Sequence, residues 1–297
     1  MQPHNYNIRK HQGEHIKRRM AKIIGILNIT PDSFSDGGKN FDANQAIAEF
    51  HKMLEEGADI IDIGAESTRP SAKLLSAEAE WQRLKPLLER LKNSVYLQKL
   101  SQLSIDSRHY QTFQHISQML PNTALMINDV SANYGSQMLE FAKRAIIRHK
   151  NTRLVVMHNL GIPADRDITL PINSTEEEII NQVMNFAVKK IGFLENQGIA
   201  RGNIIFDIGI GFGKTGQQSL VLLKNLAKFK ELGAEILLGH SRKSFLNIFT
   251  KQPAKSRDFE TAIISGLMAQ YCDYLRVHNI SDNLQAIKIA NSITIMQ

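Results

Sequence analysis

The sequence predicts a single α/β domain, a (β/α)8 TIM barrel with a short basic arm at its N-terminus. Short apolar runs rich in β-branched residues recur along the chain, and each is followed by a segment whose apolar residues fall on one helical face. Eight such units follow one another without a linker or low-complexity break. Wholly apolar strands are typical of parallel sheets covered by helices, and eight units close a barrel. An open doubly wound sheet usually has fewer strands or a second domain.

The predicted strands are recognised by their apolar content and by the polar or Gly-rich segments that follow them. The first strand covers residues 23–27 and delivers Asn28 into a long loop rich in Pro, Asp, Ser and Gly. The other seven are predicted at Asp59–Gly64, Leu103–Asp106, Ala124–Asn128, Arg153–His158, Asn203–Asp207, Glu235–Gly239 and Tyr274–His278.

The predicted helices are bounded by capping residues. Ser76 precedes acidic residues in a first turn, Ser174 or Thr175 precedes Glu177 and Glu178, and Gly57 closes an amphipathic run. The helices are predicted at 43–56, for about fifteen residues after Ser76, and at 108–120, 136–149, 175–198, 217–232, 259–271 and 281–292.

The composition is consistent with one globular domain preceded by a basic arm. The 297 residues are 42% hydrophobic and 22% charged, which is ordinary for a globular protein. We assign residues 1–20, where basic residues dominate, to a flexible arm and residues 21–297 to the barrel. The net charge of +7 is dispersed, so it favours an anionic substrate or solubility over a nucleic-acid partner.

The cysteine count and hydropathy indicate a compartment. Cys272 is the single cysteine, so an intrachain disulfide is impossible and a reducing environment is favoured. No apolar run approaches the roughly 20 residues that a membrane helix needs. The sequence therefore predicts a cytoplasmic protein without a membrane partner.

Polar residues end five of the predicted strands: Asn28, Asp106, Asn128, Asp207, and Arg276 with His278. In a barrel these ends meet at the C-terminal face, where active sites of this fold lie. Any one of them is also compatible with a helix cap. Five together point to an active site.

Two shorter motifs carry less weight. Gly211–Gly216 fits the dinucleotide-binding pattern G-x-G-x-x-G, but the next strand begins with Glu235 instead of ending in an acidic residue. His11–His15 fits H-x-x-E-H, a metalloenzyme pattern, but lies in the basic arm with a glycine in its middle.

Seven segments together resemble the successive motifs of the dihydropteroate synthase family: residues 25–38, 62–70, 104–106, 127–130, 209–214, 241–243 and 276–278. The resemblance runs in family order from about Ile23 to the C-terminus. It implies a (β/α)8 barrel that joins 6-hydroxymethyl-7,8-dihydropterin pyrophosphate to p-aminobenzoate and releases pyrophosphate in folate synthesis. A homodimer is also expected.

The resemblance implies a pterin subsite formed by Asp106, Asn128, Met157, Asp207, Phe212, Lys243 and Arg276. Carboxylates suit the N–H donors of a pterin, and Lys243 suits its ring carbonyl. Asn28, Arg276 and His278 are expected to bind the pyrophosphate, with Asn28 also a Mg²⁺ ligand. The residues expected to carry the chemistry are Asp106, Asp207, Lys243, Arg276 and His278.

The arylamine is expected to lie against two long loops. By resemblance its contacts are Phe34, Asp36, Thr68, Arg69 and Pro70, and its carboxylate meets Ser241 at the start of a helix. The loop after Asn28 is expected to order when substrate arrives, and so to be poorly defined in an empty structure.

Some positions depart from the family pattern. Ile208 stands where proline is usual, Asn279 where Asp is common and Ala132 where Gly is common, and Asn159-Leu160 replaces a frequent Met-Gln pair. These changes bear on the turns after several strands. Two other interpretations stay open: a pterin barrel that transfers methyl groups from methyltetrahydrofolate to a corrinoid protein, and a non-catalytic pterin-binding paralogue.

Overall fold

The computed structural model describes residues 21–29, 43–66, 74–161 and 167–294. The predicted arm, residues 1–20, lies outside them, so the division into arm and barrel stays a prediction. Within the described ranges, no helix is both long enough and apolar enough to cross a bilayer.

Eight parallel strands form a closed barrel in chain order, with β8 paired to β1, which confirms the predicted TIM barrel. The described strands are β1 Lys22–Asn28, β2 Ile60–Gly64, β3 Leu103–Asp106, β4 Leu125–Asp129, β5 Arg153–Met157, β6 Ile204–Asp207, β7 Glu235–Leu238 and β8 Tyr274–Val277.

Helices follow the strands around the outside. The described α-helices are α1 Ala43–Glu55, α2 Ala77–Leu91, α3 Val95–Lys99, α4 Tyr110–Met119, α5 Ser136–Arg148, α6 Glu176–Asn196, α7 Gly216–Lys224, α8 Asp258–Met268 and α9 Ile280–Thr294. Short 3-10 helices lie at Arg201–Asn203, Leu226–Leu232, Ser244–Ile248 and Ala254–Ser256. Ser76 caps α2, and Thr175 forms a capping box with Glu178 at the start of α6, as the sequence indicated.

The single helix predicted over residues 217–232 is wrong. α7 ends at Lys224, where the side-chain amide of Asn225 donates to the carbonyl of Val221 at 2.9 Å, beside the last helical hydrogen bond to the same carbonyl at 3.2 Å. An asparagine side chain that bonds the backbone in this way competes with continuation of the helix. The chain then continues as a 3-10 helix and leaves it at Gly233, which has φ +66°. The short helix α3 was not predicted.

The strands bury side chains on both faces. One core lies between strands and helices and contains Phe50, Phe113, Phe206 and Phe229 among its largest members. A smaller core fills the barrel itself with Ile24, Ile60, Met126, Val155, Ile205, Leu237 and Tyr274. Because side chains alternate along a strand, residues two positions beyond this inner layer also point inward. Those positions hold the polar residues of the barrel mouth.

Candidate active site

Strand register places the predicted residues at neighbouring positions of the barrel mouth. Asp106 pairs with Asn128 across β3 and β4, and Met157 pairs with Asp207 across β5 and β6. Arg276 lies on β8, beside β1, and pairs with Ile24. The residues that the sequence assigned to a pterin subsite therefore come together at the predicted end of the barrel.

The guanidinium of Arg276 bridges two carboxylates across the barrel. Its Nε donates to Oδ2 of Asp62 at 2.6 Å and its Nη2 donates to Oδ2 of Asp106 at 2.9 Å. These side chains are largely removed from solvent, with Asp62 fully buried. A buried cation of this kind requires carboxylate partners, so the position of Arg276 depends on both aspartates.

Asp62 is the site residue that the sequence analysis missed. It lies at the centre of the polar cluster, because its Oδ1 also accepts from the hydroxyl of Ser104 at 2.5 Å and its Oδ2 from the amide of Asn128 at 3.2 Å. It was overlooked because it lies inside a strand and not at a strand end. A charged residue between Ile61 and Ile63, on the inward-facing alternation, was the available signal.

Asp207 and Lys243 lie near each other on the opposite side of the mouth. Oδ1 of Asp207 accepts from the backbone N–H of Gly209 at 2.8 Å, while its Oδ2 points toward Gly239. A Cβ at Gly239 would lie 3.4 Å from that Oδ2 and 3.8 Å from Nζ of Lys243. The missing side chain at position 239 therefore leaves room for the carboxylate and ammonium to approach one another.

The predicted apolar wall is assembled from two loops. Met157 and Phe212 pack together with Val130 in a small buried cluster. Nζ of Lys243 lies 4.6 Å from the centre of the Phe212 ring and donates to the carbonyl of Ile210 at 2.6 Å. A cation, a carboxylate and a flat apolar surface thus meet at one place.

Lys214 holds the turn that carries Phe212. Its Nζ donates to the carbonyls of Gly209 and Phe212 at 2.8 and 2.9 Å and lies 2.8 Å from Nδ1 of His158. Gly209 itself has φ +66°, and a Cβ there would lie 1.9 Å from the carbonyl oxygen of His158. Lys214 is therefore a structural residue, and Lys243 is the cation that faces the mouth.

Ser241 is part of the site, but its predicted place at the start of a helix is wrong. The helix begins three residues later, at Ser244, because Arg242 adopts φ +59° and Lys243 is still extended. The hydroxyl of Ser241 instead lies 2.9 Å from Nδ1 of His278 and accepts from the backbone N–H of that residue at 3.2 Å. Ser241 therefore orients His278.

Asn28 lies at the end of β1, half-buried, and its amide makes no hydrogen bond to another described residue. Across the described ranges, no group of three or more His, Cys, Asp or Glu side chains could hold a metal ion. An amide oxygen is a suitable ligand for Mg²⁺, which typically takes few protein ligands and completes its shell with water and phosphate oxygens. The donor set fits that pattern.

The predicted arylamine residues Phe34, Asp36, Thr68, Arg69 and Pro70 lie outside the described residues, as does the predicted ordering of the loop after Asn28.

The departures from the family pattern are accommodated locally. Ala132 adopts φ +49°, the backbone region in which a glycine is favoured. The Asn159 amide donates to the carbonyl of Val130 at 2.9 Å, and so joins the turns after β4 and β5. Asn279 caps α9 by accepting from the N–H of Asp282 at 3.1 Å, and Ile208 is buried in the outer core.

Burial sets the electrostatics of the mouth. It raises the pKa of Asp106 to about 7 and raises the pKa of Asp207, against the opposing charges of Arg276 and Lys243 respectively. It also lowers the pKa of Lys243 to about 8, although Asp207 favours the charged form. Burial thus leaves the ionised forms of both carboxylates incompletely stabilised. A further positive charge nearby would stabilise these ionised forms.

The sequence model of the pterin binding enzyme family matches residues 24–278. The chain belongs to this family. It is 35% identical to the dihydropteroate synthase of Clostridium beijerinckii, over 91% of this chain and 93% of that protein. It also aligns with a folate synthesis bifunctional protein of Chlamydia caviae, of which it spans 58%.

Solved structures of similar fold belong to the same family. Dihydropteroate synthase from Anaplasma phagocytophilum, with bound 6-hydroxymethylpterin-monophosphate, superposes with a TM-score of 0.80 at 32% identity, covering 92% of this chain and 99% of that one. The Xanthomonas albilineans enzyme in complex with 7,8-dihydropteroate gives a TM-score of 0.75 at 27% identity, covering 93% and 94%. The chain is a dihydropteroate synthase-type transferase of folate biosynthesis.

The dependence of Arg276 on Asp62 can be tested by replacing Asp62 with asparagine. We expect Asp62→Asn to lower the free energy of unfolding by about 3 kcal/mol, because it removes one of the two charges that compensate a buried guanidinium. An asparagine also presents N–H groups to three donors that need an acceptor. Chemical denaturation monitored by circular dichroism measures this.

The control is Glu195→Gln, which breaks the more exposed pair between Glu195 and Arg201 and should leave stability nearly unchanged. Equal, small effects of the two substitutions would contradict the central role of Asp62.

Proposed function

We propose that the chain joins 6-hydroxymethyl-7,8-dihydropterin pyrophosphate to p-aminobenzoate at the mouth of the barrel. The observation that carries the proposal is the cluster of Asp62, Asp106 and Asp207 with Arg276 and Lys243 beside an apolar wall. A reduced pterin has N–H donors along one edge, a ring carbonyl and flat apolar faces, and these groups are complementary to each feature. The pterin ligands of the two related structures support the same substrate class.

In the pterin subsite, Asp207 offers its Oδ2, since Oδ1 is bonded to Gly209, and Asp106 and Asn128 accept further ring or amino N–H groups. Lys243, whose pKa is about 8, is mainly protonated at pH 7 and donates to the ring carbonyl. Phe212 and Met157 cover the apolar surface of the ring. The guanidinium of Arg276 stacks on its face.

The reaction starts with cleavage of the bond between the methylene carbon and the pyrophosphate oxygen, whose electron pair leaves with the pyrophosphate. The methylene cation that remains is delocalised into the pterin ring. Asp106 and Asp207 then gain a cationic neighbour in surroundings that had stabilised their charges incompletely. Stabilisation that becomes available only as the cation develops lowers the barrier to its formation.

The leaving pyrophosphate is bound by cationic and polar groups at the rim. Nη1 of Arg276 makes no hydrogen bond to the described residues, so it is available to a phosphate oxygen while Nε and Nη2 hold the aspartates. His278, oriented by Ser241, and Asn28 complete this anion subsite. Mg²⁺ held by the Asn28 amide oxygen and the phosphates would neutralise charge on the leaving group.

The arylamine nitrogen attacks the methylene carbon, forms the new C–N bond and loses one proton. An arylamine is largely unprotonated at neutral pH, so placement matters more than a general base. The predicted placement residues are Ser241 and the loop residues that the structure leaves undescribed. Because the helix begins at Ser244, that exposed serine is a second candidate for the arylamine carboxylate.

A product assay tests the reaction itself. With both substrates and Mg²⁺ we expect 7,8-dihydropteroate and pyrophosphate in equal amounts, detected by liquid chromatography and a pyrophosphate assay. Removal of the metal with EDTA should slow turnover, and added Mg²⁺ should restore it. Tight pterin binding without product would identify a non-catalytic pterin-binding protein, and an unchanged rate in EDTA would exclude the metal from the reaction.

Two substitutions test how the subsites are sorted. Asp207→Ala should weaken binding of the pterin pyrophosphate about a hundredfold, because charged hydrogen bonds to the pterin edge are lost. Ser241→Ala should mainly raise the KM for p-aminobenzoate. Titration calorimetry and steady-state kinetics measure these effects.

Ser244→Ala is the matched control for Ser241→Ala. A larger rise in the arylamine KM for Ser244→Ala would place the carboxylate at the helix start, and equal loss of pterin affinity in the Asp207 and Ser241 variants would show that the subsites are assigned incorrectly.

We also propose that two copies of the chain associate through the outer face of α8. Phe259, Ile263 and Leu267 recur every four residues on this helix and are 73, 46 and 58% exposed. The opposite side of α8 carries the buried residues Thr261, Ala262 and Ser265. At Gly266, on the flank of the stripe, α8 packs closely on α9, because a Cβ there would lie 3.0 Å from the carbonyl oxygen of Ala286. An apolar stripe on the outside of a firmly packed helix suits a two-fold contact with the same stripe of a second copy.

Sedimentation velocity at micromolar concentration tests this association. We expect a dimer for the native chain and a monomer for Ile263→Glu, because a carboxylate at the centre of the stripe would be buried unpaired. Ile147→Glu, an equivalent change at an exposed position of α5, should leave the dimer intact. A native chain that sediments as a monomer contradicts the proposal.

A further inference from the structure

Ser241, the residue that orients His278, is held to α8 on both sides. On one side Nε2 of His240 lies 3.1 Å from the carbonyl oxygen of Thr261. On the other side the backbone N–H of Arg242 donates to the hydroxyl of Thr261 at 3.2 Å. His240 and Thr261 are fully buried. One residue of α8 therefore fixes the chain both before and after Ser241.

A chain of buried hydrogen bonds leads from His240 to the residue that follows His278. Nε2 of His240 also lies 3.0 Å from the hydroxyl oxygen of Ser265, on α8. That hydroxyl donates to Oδ1 of Asn283, on α9, at 2.5 Å. Nδ2 of Asn283 then donates to the carbonyl of Asn279 at 2.6 Å. The turn after β7 is thus connected with the turn after β8 through two helices.

The donors and acceptors in this chain fix the direction of each of its bonds. A carbonyl oxygen only accepts, so Asn283 turns its NH2 group to Asn279 and its own oxygen to Ser265. The single hydrogen of the Ser265 hydroxyl is then given to Asn283, and its oxygen accepts from His240. The carbonyl of Thr261 likewise requires the hydrogen of the His240 ring on Nε2. Each side chain therefore has one orientation that satisfies its neighbours.

The contact between Ser241 and His278 closes this chain into a circuit. The Ser241 hydroxyl oxygen accepts from the backbone N–H of His278 at 3.2 Å, and Nδ1 of the same residue lies 2.9 Å away to accept the hydroxyl hydrogen. In the neutral imidazole the ring hydrogen then lies on Nε2, and an N–H at that atom suits a phosphate oxygen. The circuit therefore sets both the tautomer of His278 and the backbone positions on which its direction depends.

The other ring nitrogen of His240 has no comparable contact. Its Nδ1 is buried without a hydrogen-bond partner among the residues that the structure describes. Burial lowers the pKa of His240 to about 4, although the carbonyls of Thr261 and Leu238 favour the charged ring. The ring is therefore neutral at pH 7 and has a single hydrogen to give. Because a buried nitrogen without a partner costs free energy, this histidine contributes through Nε2.

We propose that His240 is a positioning residue for His278: with Ser265 and Asn283 it fixes the backbone on both sides of the contact between Ser241 and His278, and so directs the His278 imidazole toward the pyrophosphate of the substrate. The proposal rests on the proposed function, in which His278 belongs to the pyrophosphate subsite. His240 itself touches no substrate.

The pterin subsite has supports of its own. The carbonyl of Lys243 accepts from Nη1 of Arg257 at 3.0 Å, and its ammonium donates to the carbonyl of Ile210. Asp106 and Asp207 lie on β3 and β6, away from the circuit. Loss of the His240 hydrogen bonds should therefore affect the pyrophosphate and leave the pterin ring bound as before.

Equilibrium binding to His240→Leu tests this role, because leucine is similar in size and has no donor. Titration calorimetry with Mg²⁺ compares 6-hydroxymethyl-7,8-dihydropterin pyrophosphate with 6-hydroxymethyl-7,8-dihydropterin, which lacks the pyrophosphate. We expect the affinity for the pyrophosphate ester to fall about tenfold, the equivalent of one hydrogen bond to a charged group. The affinity for the free pterin alcohol should stay within about twofold of the native value.

Two further variants separate positioning from folding. His240→Gln keeps an N–H donor near the end of the side chain and should recover most of the lost affinity. Ser265→Ala breaks the chain at its next member with a smaller change in the core, so it should reproduce the loss, and it decides the question where His240→Leu does not fold. His240→Leu/His278→Ala should bind the pyrophosphate ester no more weakly than His278→Ala alone, because His240 acts through His278.

The matched control is Gln102→Leu. Gln102 is a buried residue whose Nε2 donates to the carbonyls of Leu125 and Asn151 at 3.2 and 2.7 Å, at the opposite end of the barrel. Its replacement removes a comparable buried donor and should leave both affinities at their native values. An equal loss of affinity for both ligands in His240→Leu, or the same selective loss in Gln102→Leu, would overturn the positioning role.

The same titrations distinguish this inference from the proposed function. If the native chain makes dihydropteroate and His240→Leu and Ser265→Ala keep the native preference for the pyrophosphate ester, only this inference fails. If the native chain prefers the pyrophosphate ester but makes no product, the proposed reaction fails, and the binding of the variants still decides the role of His240. If the native chain binds both ligands equally, the pyrophosphate subsite fails and this inference fails with it.

Discussion

The buried guanidinium of Arg276 is the constraint on which the barrel mouth depends. A cation in that position is tolerated only with compensating carboxylates, and Asp62 and Asp106 provide them from two other strands. Asp62 in turn accepts hydrogen bonds from the hydroxyl of Ser104 and the amide of Asn128. Residues from β2, β3, β4 and β8 therefore form one connected polar network. Because every member needs another, the network holds the side chains in place before a substrate binds, which is the preorganisation that electrostatic catalysis requires.

The second pair, Asp207 with Lys243, is arranged differently. Its groups approach across the space left by Gly239, and each keeps part of its hydrogen-bonding capacity for a ligand. The neighbouring Lys214 is fully used in closing the turn that carries Phe212, which keeps the aromatic wall beside Lys243. Two lysines close in space therefore have separate duties, one in the substrate subsite and one in the backbone of the loop. Burial lowers the pKa of both lysines, and nearby oxygen atoms stabilise their charged ammonium groups.

The position of the site is predictable from the sequence because strand ends converge in a barrel. Asn28, Asp106, Asn128, Asp207 and Arg276 were found at the ends of apolar runs, and the structure brings them to one face. Other features are not predictable where a local pattern is ambiguous. Asp62 lies within a strand, where no strand-end pattern marks it. The pattern of residues 217–232 predicts one helix although the Asn225 amide ends it, and Ser241 is predicted at a helix start that the left-handed Arg242 delays to Ser244.

The architecture follows from the amino-acid pattern, because in a chain with eight alternations of apolar strand and amphipathic helix a closed parallel barrel buries both faces of every strand. The same pattern also determined which residue types reach the mouth. Which of them pair depends on the folded chain: Arg276 bonds to Asp62 and Asp106, and Lys214 donates to carbonyl oxygens. The two carboxylate partners of Arg276 lie 214 and 170 residues away in sequence, and the choice among several carboxylates and cations depends on distances and burial that no local pattern contains.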